Sequence, residues 1–276
     1  MSTDCSTDKK EVNSATAVAD REGIKRDTDS IISDDELFKQ PPNEDCPICL
    51  LRLPQLASGT TYSECCGKII CSGCDNSPVF DNLGNKISEE KCPFCRTPAP
   101  YSDKEYNGRL QKRVELGDAH AIFTLGCYYR RGADGFPQDY AKALELFVRA
   151  GELGCAESYC NIGYAYENGN GVEIDKKKAN HYYKLAAMGG NVYARCYLGV
   201  VEEEAGNTNR ALKHYMIALE GGKDNALKQI QKLHTNGHAR KDDYTKALRA
   251  YQAYLAEIKS TQRDKAAAFD DEYKYY

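Results

Sequence analysis

Small and apolar residues return at a fixed interval over the second half of the chain. The dipeptides Lys142-Ala143, Lys178-Ala179, Arg210-Ala211 and Lys246-Ala247 are separated by 36, 32 and 36 residues. Four residues after each Ala stands an aromatic: Phe147, Tyr183, Tyr215 and Tyr251. Three further on come Ala150, Ala186, Ala218 and Tyr254. Upstream, Leu125-Gly126, Ile162-Gly163 and Leu198-Gly199 recur, with Ile230-Gln231 as a degenerate fourth. Each is preceded at four residues by a small side chain: Ala121, Ser158, Ala194 and Ala226. Spacings of three and four place residues on one helix face, so each interval predicts two helices joined by a turn. Repetition at this length marks a helical array whose neighbours bury one another's faces. Small residues let the paired helices come close, and the aromatic is expected to fill the gap to the next repeat. Gly132, Gly169 and Gly171 fit the turn inside a repeat. Gly154, Gly190 and Gly222 fit the left-handed position after the second helix. The third repeat passes from Glu204 to Asn209 with almost no turn.

Residues 1–40 lack this pattern. They hold ten Asp or Glu against six Lys or Arg, and Val12, Val18 and Ile24 show no period. Such a segment buries too little apolar surface to offset chain entropy, so a disordered acidic tail is expected, with Cys5 a free thiol. Asp34–Gln40 predicts a single helical turn before Pro41-Pro42.

Between residues 46 and 95 the chain carries eight cysteines. Three pairs are C-x-x-C: Cys46/Cys49, Cys71/Cys74 and Cys92/Cys95; the fourth is the adjacent Cys65-Cys66. A C-x-x-C turn brings two thiolates to one tetrahedral ion, and two pairs close a four-sulfur site, so eight thiolates suggest two zinc ions. The competing reading is disulfides, which need an oxidising compartment. The first thirty residues hold no apolar stretch of secretory type, which favours zinc and a cytoplasmic or nuclear location. Thr60–Ser63 and Lys68–Ile70 read as short strands around the cysteine loops.

The order of the pairs resembles a RING-type zinc finger. In that family the pairs interleave. The resemblance implies one site from Cys46, Cys49, Cys71 and Cys74, and another from Cys65, Cys66, Cys92 and Cys95. It departs from the common pattern at the second pair, where Cys66-Gly67-Lys68 stands in place of C-G-H. The five histidines all lie at 120 or beyond, so the all-cysteine variant is the nearer likeness. Either both Cys65 and Cys66 ligate, or one does and the second site has three thiolates. The family's partner-facing positions imply roles for four residues. Ile48 stands between the first ligands, Pro93 between the last two, and Arg96 follows the final ligand. Val79 (or Phe80) adds an apolar contact from the long gap.

The periodic segment resembles the Sel-one-like repeat, a relative of the tetratricopeptide repeat, with signature A-x-x-x-L-G-x-x-Y-x-x-G-x-G-V-x-x-D-x-x-K-A-x-x-Y-x-x-A-A-x-x-G. Ser158–Gly190 matches it nearly throughout, including Gly169-Asn170-Gly171-Val172 and Asp175. The arrangement as a whole is similar to RING-plus-repeat proteins of diatoms. The expected fold is mainly α: an α-solenoid of helix-turn-helix repeats with a small N-terminal two-zinc RING module and a disordered tail. The expected divisions are 1–40 tail, 41–100 zinc finger, 104–259 repeats and 260–276 C-terminal tail.

A formal charge of −4 over 276 residues gives no basic face for nucleic acid, and no apolar run reaches the length needed to cross a bilayer. No Ser/His/Asp set or phosphate loop can be argued from spacing, and the scattered histidines are not expected to ligate. Cys127, Cys155, Cys160 and Cys196 fall at helical positions and read as buried free thiols. Two function classes follow. In the first the protein is a ubiquitin ligase that recruits a conjugating enzyme through the zinc module and a protein or peptide client through the repeats. In the second it is a non-enzymatic zinc-binding scaffold or adaptor.

Overall fold

The computed structural model describes residues 32–55, 59–77 and 91–269. Most of the tail expected over 1–40, Cys5 among it, lies outside the described residues, as do Val79 and Phe80. In chain order the elements are α1 Asp34–Leu37, β1 Thr60–Ser63, β2 Lys68–Cys71, α2 Ser72–Asp75 and α3 Asp103–Glu115. There follow α4 Ala119–Arg131, α5 Tyr140–Glu152, α6 Ala156–Asn168, α7 Lys176–Met188, α8 Val192–Glu204 and α9 Thr208–Glu220. The chain closes with α10 Asn225–Thr235, α11 Lys241–Ile258 and α12 Thr261–Phe269. The fold is mainly helical, and no described helix is long and apolar enough to cross a membrane.

The chain forms two compact units, and their limits differ from the motif boundaries. One unit contains Asn107–Ala194 with the segment before Gln40; the other contains Gln40–Tyr106 with Arg195–Tyr276. The cysteine segment is thus grouped with the helices of the last two repeats.

In the first unit α4/α5 and α6/α7 form antiparallel pairs, and α5 packs on α6. Three aspartates start these helices. Asp118 accepts from His120 and Ala121, Asp139 from Lys142, and Asp175 from Lys177 and Lys178, each capping otherwise unpaired N–H groups. Gly154 and Gly190 take φ of 98° and 92°, in the left-handed region expected after the second helix. The small residues Ala121, Ser158, Ala150 and Ala186 are fully buried. The aromatic, however, fills space inside its own repeat. A Cβ on Gly126 would lie 2.8 Å from the Phe147 ring, and one on Gly163 3.1 Å from the Tyr183 ring. Contact with the next repeat is made elsewhere: a Cβ on Gly151 of α5 would lie 2.8 Å from the Tyr159 ring of α6. The Leu-Gly pair therefore pairs an apolar anchor with a notch for the aromatic. At α1, Ser33 and Glu36 form a capping box and Leu37 is buried.

In the second unit the same rule holds: a Cβ on Gly199 of α8 would stand 2.4 Å from the Tyr215 ring of α9. Ala211, Tyr215, Ala218, Leu219, Ala226, Ile230, Leu233 and Ala247 form one buried cluster. Antiparallel β1 and β2 pair from Thr60↔Cys71 to Ser63↔Lys68, which leaves Cys65 and Cys66 in the hairpin turn. The segment expected as a C-terminal tail includes α12, which packs against α2. Its Arg263 is fully buried, a position that the local sequence Thr-Gln-Arg-Asp-Lys does not announce.

Candidate metal centre

The two outer C-x-x-C pairs build the same turn. The Leu50 N–H donates to the Cys46 carbonyl at 2.9 Å, and the Cys46 N–H to the Leu51 carbonyl at 2.9 Å. At the other end the Arg96 N–H donates to the Cys92 carbonyl at 2.9 Å, and the Cys92 N–H to the Thr97 carbonyl at 2.8 Å. Antiparallel bridges Asp45↔Arg52 and Lys91↔Pro98 close the two loops. In each, the residue after the second cysteine takes positive φ, 59° at Leu50 and 64° at Arg96. For residues with a Cβ this costs about 1–3 kcal/mol. The turn tolerates it because that reversal aims both thiols of the pair at one point.

The remaining pairs are set differently. Cys71 ends β2 and stands at the N-cap position of α2, without a side-chain capping bond; α2 carries Cys74. The Cys71 N–H points at the Cys46 sulfur at 3.5 Å. Adjacent Cys65 and Cys66 stand in the hairpin turn, which the Cys66 and Gly67 N–H groups close on the Ser63 carbonyl at 3.3 and 2.8 Å.

The thiols gather as two groups of four: Cys46, Cys49, Cys71 and Cys74, and Cys65, Cys66, Cys92 and Cys95. Within each, all sulfurs lie within 4.8 Å of one another. A zinc ion with Zn–S bonds of about 2.3 Å has S···S edges of about 3.8 Å. The Cys49–Cys71 and Cys66–Cys92 separations are 3.8 and 3.9 Å; Cys65–Cys95 is shorter, 3.3 Å. The donor sets therefore fit two zinc ions, and both Cys65 and Cys66 stand in the second group. These eight are free cysteines, not disulfides. Crowded thiols without a cation split their protons unevenly. The hydrogen bond from Cys71 holds Cys46 down at about 4, while burial pushes Cys74 up to about 12. Only a cation lets all four lose their protons together.

The two groups differ in exposure. Cys46, Cys71 and Cys74 are buried, whereas Cys95 is exposed and its partners are half-buried. Of the expected partner-facing residues, Ile48 and Arg96 are exposed and Pro93 is half-buried. Val79 lies outside the described residues. Leu50 and Phe94, which are not among the expected partner-facing residues, expose 74% and 42% of their surface beside the same turns. Their signal was present: each sits within or next to a C-x-x-C turn whose own residues cannot bury it.

A third mixed group, His120, Cys155 and Glu157, also falls within 4.8 Å. Here the Cys155 thiol donates to the Glu157 carboxylate at 3.3 Å. Burial pushes Cys155 and Cys160 up to about 12 and Cys196 up to about 11, so these thiols stay protonated.

Comparison with known proteins bears on the helices. The family model described as Sel1 repeat matches residues 119–155 and 156–191. These ranges hold the pairs α4/α5 and α6/α7, so residues 119–191 form two repeats that match the Sel1 model. Chitin synthase regulatory factor 4 of Schizosaccharomyces pombe is 28% identical over 120 residues, 43% of this chain and 19% of that protein. The ERAD-associated E3 ubiquitin-protein ligase component HRD3B of Arabidopsis thaliana is 32% identical over 91 residues, 31% of this chain and 15% of that protein. The chain thus spans under a fifth of the length of these relatives. Among solved structures, a Sel1 repeat protein from Oxalobacter formigenes is similar at 28% identity and a TM-score of 0.48, over 56% of this chain and 64% of that one.

Proposed function

We propose that this protein is a two-zinc RING-type ligase component. In this reading the cysteine module receives a ubiquitin-conjugating enzyme and the Sel1 repeats hold a protein client. The observation that carries it is the pair of four-cysteine groups set by matching turns, with Ile48 and Arg96 exposed beside them. Zinc supplies no reaction step here; it cross-links the loops that present those side chains. Catalysis is by positioning: the module orients the charged conjugating enzyme, and no nucleophile of this chain is required. The relative named a ubiquitin-ligase component supports a place for the repeats in such an assembly. Arg96 serves to position ubiquitin, while Ile48 and Pro93 contact the conjugating enzyme, with Val79 adding apolar surface.

A second reading, a zinc-stabilised scaffold without transfer activity, is favoured by the packing of α12 on the cysteine module. Ubiquitin discharge from a panel of charged conjugating enzymes separates the two. Arg96→Ala is expected to keep two zinc ions and an unchanged melting transition, yet slow discharge by about one to two orders of magnitude. Wild type that discharges no member of the panel, or an Arg96→Ala variant equal to wild type, leaves the scaffold.

A further inference from the structure

We propose that Arg263 is the charge partner of the first cysteine group, so that metal held there and docking of α12 on the module are one linked equilibrium. This rests on the zinc reading above. Arg263 is fully buried although arginine is seldom so without a partner. Its Nη1 donates to the carbonyls of Arg52 at 2.8 Å and Ile258 at 2.6 Å. Its Nη2 lies 3.4 Å from the Leu51 carbonyl and 3.9 Å from the Cys49 sulfur. Its side-chain hydrogen-bond partners among the described residues are thus three backbone carbonyls and the Cys49 sulfur.

Four thiolates around one divalent zinc leave a net charge of −2. A buried guanidinium beside the Cys49 sulfur offsets part of that charge, and the cluster in turn offsets the cost of burying the guanidinium. Without the ion this mutual compensation is lost, and a fully buried guanidinium is left against backbone carbonyls and sulfur alone. Each state of the cluster therefore biases where Arg263 sits.

The backbone is shaped for this contact. A Cβ on Gly73, between Cys71 and Cys74, would fall 2.6 Å from the Arg263 backbone nitrogen and 2.9 Å from the Gln262 carbonyl carbon. Glycine at that place lets α12 seat directly on the ligand turn. Arg52, one strand position from the first turn, extends the attachment: it pairs with Glu257 at 2.6 Å and lies 5.1 Å over the Tyr254 ring. The first turn is thus held by hydrogen-bond partners 205 to 214 positions further along the chain.

The test uses the full chain, loaded with zinc or cobalt and titrated with a competing chelator. Hydrogen exchange of residues 261–269 is followed in parallel. Wild type is expected to hold two ions. Arg263→Gln should weaken one of them by about 10- to 100-fold, the range for loss of a group that orients metal ligands, and leave the other unchanged. Arg263→Lys should recover part of the loss. Gly73→Ala, which keeps the arginine but displaces α12, should weaken the same ion. Stripping metal from wild type should raise exchange over 261–269. The proposal is overturned if both ions keep their affinity in Arg263→Gln, or if 261–269 stays protected after stripping. Should Arg263→Gln fail to fold, the stripped wild type decides alone. A wild type that holds no metal sinks the zinc reading as well; one that holds two ions indifferent to Arg263 sinks only this proposal.

Discussion

The buried cluster at the centre of the cysteine module consists of Cys46, Leu53, Ile70, Cys71 and Cys74, so three of its five residues are themselves candidate ligands. The buried cluster under α9–α11 is made of alanines, Tyr215 and aliphatic side chains, with Cys196 only packed against its edge. On the zinc reading, one region replaces a core with cross-links; the other repeats a core at fixed intervals. The difference teaches where each can be broken. A cross-linked loop has a few positions on which everything depends, whereas a repeated core spreads its stability over many small contacts.

The largest effect is expected in the first region. Cys46→Ser removes a fully buried candidate ligand, and structural zinc in such small modules contributes about 10–16 kcal/mol of apparent binding energy to folding. We expect the variant to lose one zinc ion and to become open to proteolysis between residues 46 and 95. Helical circular dichroism from the Asn107–Ala194 unit should persist. Cys95→Ser, at an exposed sulfur, should give a milder loss confined to the second ion. A Cys46→Ser protein with two bound ions, or one without helical signal, would break the contrast.

Effects in the repeats should be a matter of packing. Gly199→Ala puts a methyl group 2.4 Å from the Tyr215 ring, which is itself fully buried and cannot retreat. Overpacking of this kind costs about 1–3 kcal/mol, readable as a lower Tm. Gly108 in α3 is the control: a Cβ there meets nothing within 4 Å, and the position is exposed. Gly108→Ala should stabilise by about 0.5–1 kcal/mol, because alanine gives up less backbone freedom in a helix than glycine. Equal shifts at the two glycines would mean that the close approach of α8 and α9 is not a constraint.

The repeats were legible because their information is local. Lys-Ala, the aromatic four residues on and the Leu-Gly pair each report a helix face, and the faces dictate the pairing. The direction of the aromatic was not legible: spacing says which face Phe147 or Tyr183 occupies, not whether that face looks inward to its own repeat or onward to the next. The grouping of the eight thiols was carried by a family likeness rather than by spacing alone, since C-x-x-C pairs are interchangeable until the hairpin places Cys65 and Cys66. The arginine behind them gave no signal. Arg263 follows Ser-Thr-Gln in a stretch with no sustained apolar stripe, and its burial depends on Cys49–Arg52 and Gly73, which no local pattern connects to it.

The smallest effect concerns the third repeat, whose shortened turn was visible in the sequence. There Glu202 of α8 accepts from Arg210 Nε of α9 at 2.9 Å and from Asn207 Nδ2 at 2.8 Å. Burial alone would raise the Glu202 pKa, but the hydrogen bonds from Arg210 and Asn207 outweigh it and hold the group below its ordinary value of 4.5. The unfolded chain therefore takes up this proton first as pH falls. The stabilisation is fully present above about 4.5 and disappears as pH drops through the lower folded value. Glu202→Gln should cost at most about 1 kcal/mol at neutral pH, since water still reaches the pair. The gap between variant and wild type should close below pH 4.5, as measured by chemical denaturation of both proteins at each pH. Acid also releases zinc, but equally from both proteins, so the difference isolates the carboxylate. A gap that stays constant with pH would mean that Glu202 acts through shape, and that even the turns of the repeats are held by packing alone.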